Sequence, residues 1–219
     1  MPRALFEKTG MAAYISHLDL MRLFQRSFKR AGLPLTHTKG FNPRPSVSIA
    51  LPLSLGVQSH CELLDFDLEG ESISCQEIKE RLNRTLTEGV RILEVYENGA
   101  KLKHLAYLSC DLVLEYDAGV PENAAERLRT MFALPELTVE KKGKNGPTEQ
   151  NIAPMIRELE ITEDNANELI LHTVICCQNP TLNPALLAAA IAKYQPELAP
   201  DFVRICRMEV YDTENKIFR

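Results

Sequence analysis

An order of secondary-structure elements that occurs twice along the 219 residues constrains the fold more than any other feature. In the first half, Arg3–Lys8 with Ala12–Ile15 reads as a strand, and His17–Ala31 reads as a helix with Leu18, Met21, Phe24 and Phe28 near helical spacing. Gly32 stops that helix and Pro34 follows it. Ser46–Leu51 and Glu62–Leu68 then read as strands, Ser74–Leu86 as a helix and Val90–Glu97 as a strand. In the second half, Tyr107–Tyr116 alternates as a strand and Pro121–Phe132 opens as a helix on its proline. Leu137–Lys141 and Leu169–Cys176 follow as the middle strands, Asn183–Tyr194 as an alanine-rich helix and Val203–Tyr211 as the closing strand.

Each half is therefore predicted to be a β-α-β-β-α-β unit, and the fold class is α+β with two tandem ferredoxin-like units. One domain covers residues 1–100 and the other 104–219, joined near Gly99–His104. Residues 141–147, Lys-Lys-Gly-Lys-Asn-Gly-Pro, read as an exposed turn or flexible loop. Asn151–Ile161, with Pro154 inside it, reads as an edge strand. Pro52–Glu62 reads as a polar turn between the two middle strands of the first unit.

Charge separates the two halves. The net charge is −5, which by itself argues against an anionic partner. Residues 1–45 hold eight basic side chains against two acidic ones and carry +6, while the other 174 residues carry −11. Such asymmetry points to an anionic ligand or an acidic docking partner. No apolar run is long enough to span a bilayer, and the N-terminus has no apolar signal-peptide core, so the expected location is the cytoplasm, with no membrane partner. The six cysteines lack zinc and thioredoxin spacing and read as reduced, mostly buried thiols, and no metal or cofactor is expected. Walker, Rossmann and nucleophile-elbow motifs are absent.

The candidate site residues concentrate in the basic segment. Ser16 is placed to cap the first helix, with Asp19 in its first turn, and His17 sits where the helix dipole would favour a neutral imidazole. Arg22, Arg26, and Lys29 or Arg30 fall on one helical stripe. The loop Thr36–Pro45 follows, in which Gly40 permits positive φ and Pro43 and Pro45 stiffen the chain around Arg44. Its Lys39, Phe41, Asn42 and Arg44 are side chains that hold phosphate oxygens and stack on bases.

Four blocks of this segment resemble a known family. They are Tyr14–Arg22 (Tyr-Ile-Ser-His-Leu-Asp-Leu-Met-Arg), Arg30–Pro34 (Arg-Ala-Gly-Leu-Pro), Gly40–Pro45 (Gly-Phe-Asn-Pro-Arg-Pro) and Leu53–Val57 with Ser59 and Glu62. Together they resemble the bacterial radical-SAM-associated (radical-SAM-linked) family, a domain of unknown function found beside or fused to a radical SAM enzyme. The match covers about the first 65 residues. The resemblance implies a bacterial protein that works with a separate radical SAM protein, and the chain has no cluster-binding cysteine motif of its own. The pair Thr38-Lys39 departs from the commoner family form, so no family-wide role passes to Lys39.

Three functional readings follow. The favoured one is a non-catalytic module in which Arg22, Arg26, Arg30, Lys39, Phe41, Asn42 and Arg44 bind an anionic substrate, RNA before others, for the radical SAM partner. A second is a docking subunit whose basic face holds that enzyme. A third is an enzyme with His17 as acid or base, Asp19 as its orienter, and Arg22 and Arg44 as clamps.

Overall fold

The computed structural model describes residues 1–70, 72–143 and 146–219. The chain divides into two compact units, Met1–Leu102 with Arg219, and Lys103–Phe218.

The first unit runs β1 (Arg3–Lys8), α1 (His17–Arg30), β2 (Val47–Ile49), β3 (Gln58–Phe66), α2 (Cys75–Asn83) and β4 (Val90–Tyr96). All three pairings are antiparallel, and the strands lie in the order β4-β1-β3-β2. That order and polarity are those of a ferredoxin-like split β-α-β unit. Phe6, Phe24, Phe28 and Phe66 form the centre of its core, with ring centroids 4.9 Å apart in both the Phe6–Phe24 and Phe28–Phe66 pairs. Edge-to-face and tilted pairs at this distance add to area burial.

Two details depart from the periodicity. Ala12–Ile15 is no strand: Gly10–Tyr14 is a 3-10 turn with Gly10 at φ +56°, burying Ala12 and Ala13. On α1 the stripe that enters the core is Leu20, Phe24, Ser27 and Phe28, while Leu18 is exposed. Leu20, Phe24 and Phe28 stand four residues apart and so share one face.

The second unit runs β5 (Leu105–Glu115), α3 (Ala124–Phe132), β6 (Thr138–Gly143), β7 (Gly146–Asn151), β8 (Ile156–Asn165), β9 (Glu168–Cys176), α4 (Ala185–Tyr194) and β10 (Phe202–Asp212). Its main ladders give the order β10-β5-β9-β8, all antiparallel, so the ferredoxin-like arrangement is present again. The second strand of this unit is β8, not Leu137–Lys141. The latter belongs to β6, which pairs with β7 as a separate hairpin whose register runs from Thr138↔Asn151 to Gly143↔Gly146. Residues 141–143 and 146–147 are therefore strand, where a loop was expected; Lys144 and Asn145 of that stretch lie outside the described residues. Leu137, Val139 and Ile152 are buried, and the Tyr194 hydroxyl accepts from the Thr138 N–H at 2.9 Å, anchoring the hairpin to α4. The edge strand expected within Asn151–Ile161 is β8, entered through a 3-10 turn at Ala153–Met155.

All six cysteines are free, and Cys61, Cys110, Cys176 and Cys177 are buried. Among the described residues no helix is long and apolar enough to cross a membrane.

Candidate functional site

The start of α1 is built from below by a buried cation. Lys8, on β1, is 1% exposed, and its Nζ donates to the carbonyls of Ala13 at 3.0 Å and Ile15 at 2.8 Å. Ser16 then caps the helix, accepting from the Asp19 N–H at 3.2 Å. The Asp19 carboxylate receives the Ser16 hydroxyl at 2.7 Å and an Arg22 N–H at 3.0 Å. The Ser16 bond first, and Arg22 second, hold this carboxyl below its ordinary range. Asp19 is thus engaged with Ser16 and Arg22 instead of orienting His17, and His17 makes no hydrogen bond or ion pair among the described residues.

The end of α1 is a Schellman turn. Gly32 takes φ +66°, its N–H reaches the Lys29 carbonyl at 3.2 Å, and the Leu33 N–H reaches the Phe28 carbonyl at 3.0 Å. Leu33 is fully buried as a result. The chain then runs out along Thr36–Thr38 and returns along Arg44–Ser46. The two legs are joined by Thr38 N–H to Arg44 carbonyl (2.8 Å), Arg44 N–H to Thr38 Oγ1 (3.0 Å) and Ser46 N–H to Thr36 carbonyl (2.8 Å). The base is tied down by Thr36 Oγ1 to Asp67 Oδ2 at 3.0 Å. Only residues 39–43 form the tip, where Gly40 stands at φ +148° and Phe41 is entirely in solvent.

The +6 of the N-terminal segment is smaller at the surface than in the sequence. Arg3 and Lys8 are buried; Arg3 binds Asp65 (Nε to Oδ1, 2.6 Å) and the Ala100 carbonyl (2.9 Å). Arg22 is paired with Asp19, and Arg30 donates to the Thr85 carbonyl at 2.8 Å. Arg26, Lys29, Lys39 and Arg44 are exposed and make no side-chain hydrogen bond or ion pair among the described residues, and Phe41 and Asn42 are exposed beside them.

A groove of about 450 Å³ lies beside Lys29, which alone of these groups lines it. Gln25, Phe28 and Lys29 of α1 line it on one side, His37 and Pro45 of the loop legs on another, with Gly32–Leu35 and Glu69 completing it. Lys29 of the basic stripe and the base of the loop thus share one concavity. His17 lies some twelve residues before Lys29 on the same helix, roughly 18 Å along its axis, so the structure separates the His17–Asp19 end from this groove.

One constellation was not anticipated. Asp111 on β5 and His172 on β9 are cross-strand partners, and His172 Nδ1 lies 2.8 Å from Asp111 Oδ1 while its Nε2 lies 3.2 Å from Thr162 Oγ1 on β8. The carboxylate–imidazole pairing sought at Asp19 and His17 is found here instead. Asp111 and His172 are 61 positions apart in sequence, and only strand register brings them together. Its surroundings include Glu158 and Glu160, an acidic setting unsuited to an anionic ligand.

No curated protein matches the sequence. The fold is similar to that of a chain in the crystal structure of a Cbf5-Nop10-Gar1 complex, with 8% identity and a TM-score of 0.53 across 95% of this chain and 48% of that one. The present chain therefore spans about half the length of that relative, and the likeness is one of fold. The crystal structure of an unknown protein from Galdieria sulphuraria aligns over 97% of this chain and 96% of that one at 10% identity, with a TM-score of 0.26. Residues 2–184 match the family described as an uncharacterized protein conserved in bacteria, DUF2344, and with most of its length matched the chain belongs to that family.

Proposed function

We propose that the protein is a non-catalytic module that binds RNA and presents it to a separate radical SAM enzyme in the bacterial cytoplasm, with residues 1–100 as the binding domain and 104–219 as its scaffold. The observation that carries this reading is the set of exposed cations Arg26, Lys29, Lys39 and Arg44 on α1 and the loop after it, with Lys29 on the rim of the groove and Phe41 bare in solvent at the loop tip. Cations of this kind take phosphates, and an exposed ring gives a base a stacking face. Arg22 and Arg30 flank the set and contribute to the field around it, although each has an internal partner. The proposed partner enzyme follows from the four sequence blocks at Tyr14–Arg22, Arg30–Pro34, Gly40–Pro45 and Leu53–Val57.

A docking role for the same unit is favoured by a different observation. Met11, Tyr14, Leu18 and Leu55 are all exposed, around the 3-10 turn and the first turn of α1. Enzyme and RNA would then meet opposite ends of one helix.

Affinity purification of the tagged chain from its bacterial host, with and without RNase, tests both readings. The RNA reading expects nuclease-sensitive RNA in the eluate that is lost with Arg26→Ala plus Lys29→Ala. RNA-free protein at low salt rejects it. The docking reading expects a radical SAM protein in the eluate that Leu18→Glu removes, and an eluate without one rejects it.

A further inference from the structure

We propose that the groove beside the end of α1 holds a single unpaired guanine of the bound RNA, an inference that rests on the RNA reading above and makes it specific.

The groove suits a flat ring. At about 450 Å³ it falls within the range of small-ligand pockets, about 300–1,000 Å³, and exceeds what one base requires. Phe28, Leu33 and Leu35 are buried apolar groups of its lining, and Pro34 and Pro45 extend this surface outward. Its walls are fixed by backbone bonds: the Schellman turn at Gly32–Leu33, the Leu35↔Leu68 bridge, the His37↔Pro45 bridge, and the Glu69 N–H to Pro34 carbonyl bond at 2.8 Å. A base that leaves its stack can therefore bury its faces here without first ordering the site.

The polar rim selects the base. Glu69 is the one acid among the lining residues, and an ionised carboxylate offers two adjacent acceptors and no donor. Guanine alone among the four bases presents two adjacent donors on one edge, N1–H and the N2 amino group. The matching edge of adenine sets one donor beside an acceptor, that of cytosine one donor beside two acceptors, and uracil sets a single donor between two carbonyls. His37 Nδ1 stands 3.8 Å from Glu69 Oε1, beyond hydrogen-bond distance, so neither group saturates the other. The carboxylate is open to the N1–H and N2–H donors, and the imidazole is placed to donate to guanine O6. Lys29, on the rim, meets the phosphate of the same nucleotide, and Arg26 lies one helical turn before it for the next.

The test is fluorescence anisotropy on the full chain at low salt with three labelled nonamers: nine uridines, the same with one central guanosine, and the same with central inosine, which lacks the N2 amino group. The guanosine RNA is expected to bind about tenfold tighter than the uridine RNA, a difference that a bidentate carboxylate contact supplies. Inosine should lose most of the gain, and Glu69→Gln should narrow the difference between guanosine and uridine RNAs to less than about twofold. Equal binding of the three RNAs, or a guanine preference that survives in Glu69→Gln, overturns the guanine pocket and leaves RNA binding in place. No binding of any nonamer overturns the RNA reading and the pocket with it. The inosine comparison needs no variant, so the outcome does not depend on whether Glu69→Gln folds.

Discussion

The ammonium of Lys8, inside the first unit, is bonded to the carbonyl of Ile15 at 2.8 Å and so fixes the residue from which α1 departs. With its second bond to Ala13 at 3.0 Å, it satisfies two carbonyls of a turn that the helix itself does not reach. Lys8→Met would fill similar volume but leave the Ile15 carbonyl without its donor, while the Ala13 carbonyl still accepts from the Gly56 N–H at 3.0 Å. The expected loss is about 1–3 kcal/mol of unfolding free energy, the usual cost of unpaired buried polar groups. Urea denaturation measures it. Because Lys8 is internal, RNA affinity of the folded variant should equal that of the wild type, which a mere count of basic residues would not expect.

Gly89 meets the same turn from the other side. A Cβ there would stand 2.4 Å from the Thr9 carbonyl oxygen and 2.8 Å from the Ala12 Cβ, and its φ is +78°. Gly89→Ala therefore combines backbone strain with a clash against main chain that cannot rotate away, and a loss of about 2 kcal/mol or more is expected. Gly40→Ala, with nothing within 4 Å of the added atom, carries the backbone strain alone. Thermal melts of the two variants should place Gly89→Ala well below Gly40→Ala.

The overall architecture was legible in the sequence because its signals were local. Ser16, Gly32 and Pro34 bound α1 within one residue, and both units show the expected alternation of strands and helices. What was not legible depended on tertiary partners. Arg3 and Lys8 count toward the +6 of residues 1–45 but are internal, since only the fold supplies Asp65 and the carbonyls of Ala13 and Ile15. The second strand of the second unit was assigned to Leu137–Lys141, because a buried hairpin strand and a sheet strand share one pattern of apolar residues. The groove joins residues from Gln25 to Glu69, and nothing local in the sequence announces it.

Asp19 separates the binding reading from a catalytic one. It neutralises Arg22 at 3.0 Å, so Asp19→Ala frees a cation on α1. Affinity for RNA at low salt should rise by about a factor of two, with the gain vanishing at high salt as screening predicts. If His17 worked as an acid or base with Asp19 as its orienter, the same substitution would instead abolish turnover.

Alkaline pH should weaken the second unit first. Burial pushes the Cys110 and Cys177 thiols from 9.0 up to about 12, and Cys206 up to about 11. Between pH 9 and about 12 the unfolded chain loses these protons while the folded one keeps them, so unfolding free energy falls as pH rises through this window and is unaffected by these groups below it. Denaturation midpoints at pH 8 and pH 10.5 should differ, and Cys110→Ala should reduce the difference, leaving the share of Cys177 and Cys206. Thiol-reactive probes at pH 8 should label Cys110 and Cys177 only as the protein unfolds.

The central claim is that exposed cations on α1 and the loop hold RNA by its phosphates. Its most direct test is the slope of log affinity against log salt for a single-stranded RNA, compared between the wild-type chain and Arg26→Ala plus Lys29→Ala. The account predicts a linear fall for the wild type and, for the double variant, weaker binding with a slope shallower by about 1.4, two single-strand phosphate contacts at about 0.7 each. An unchanged slope and affinity in the double variant would contradict it.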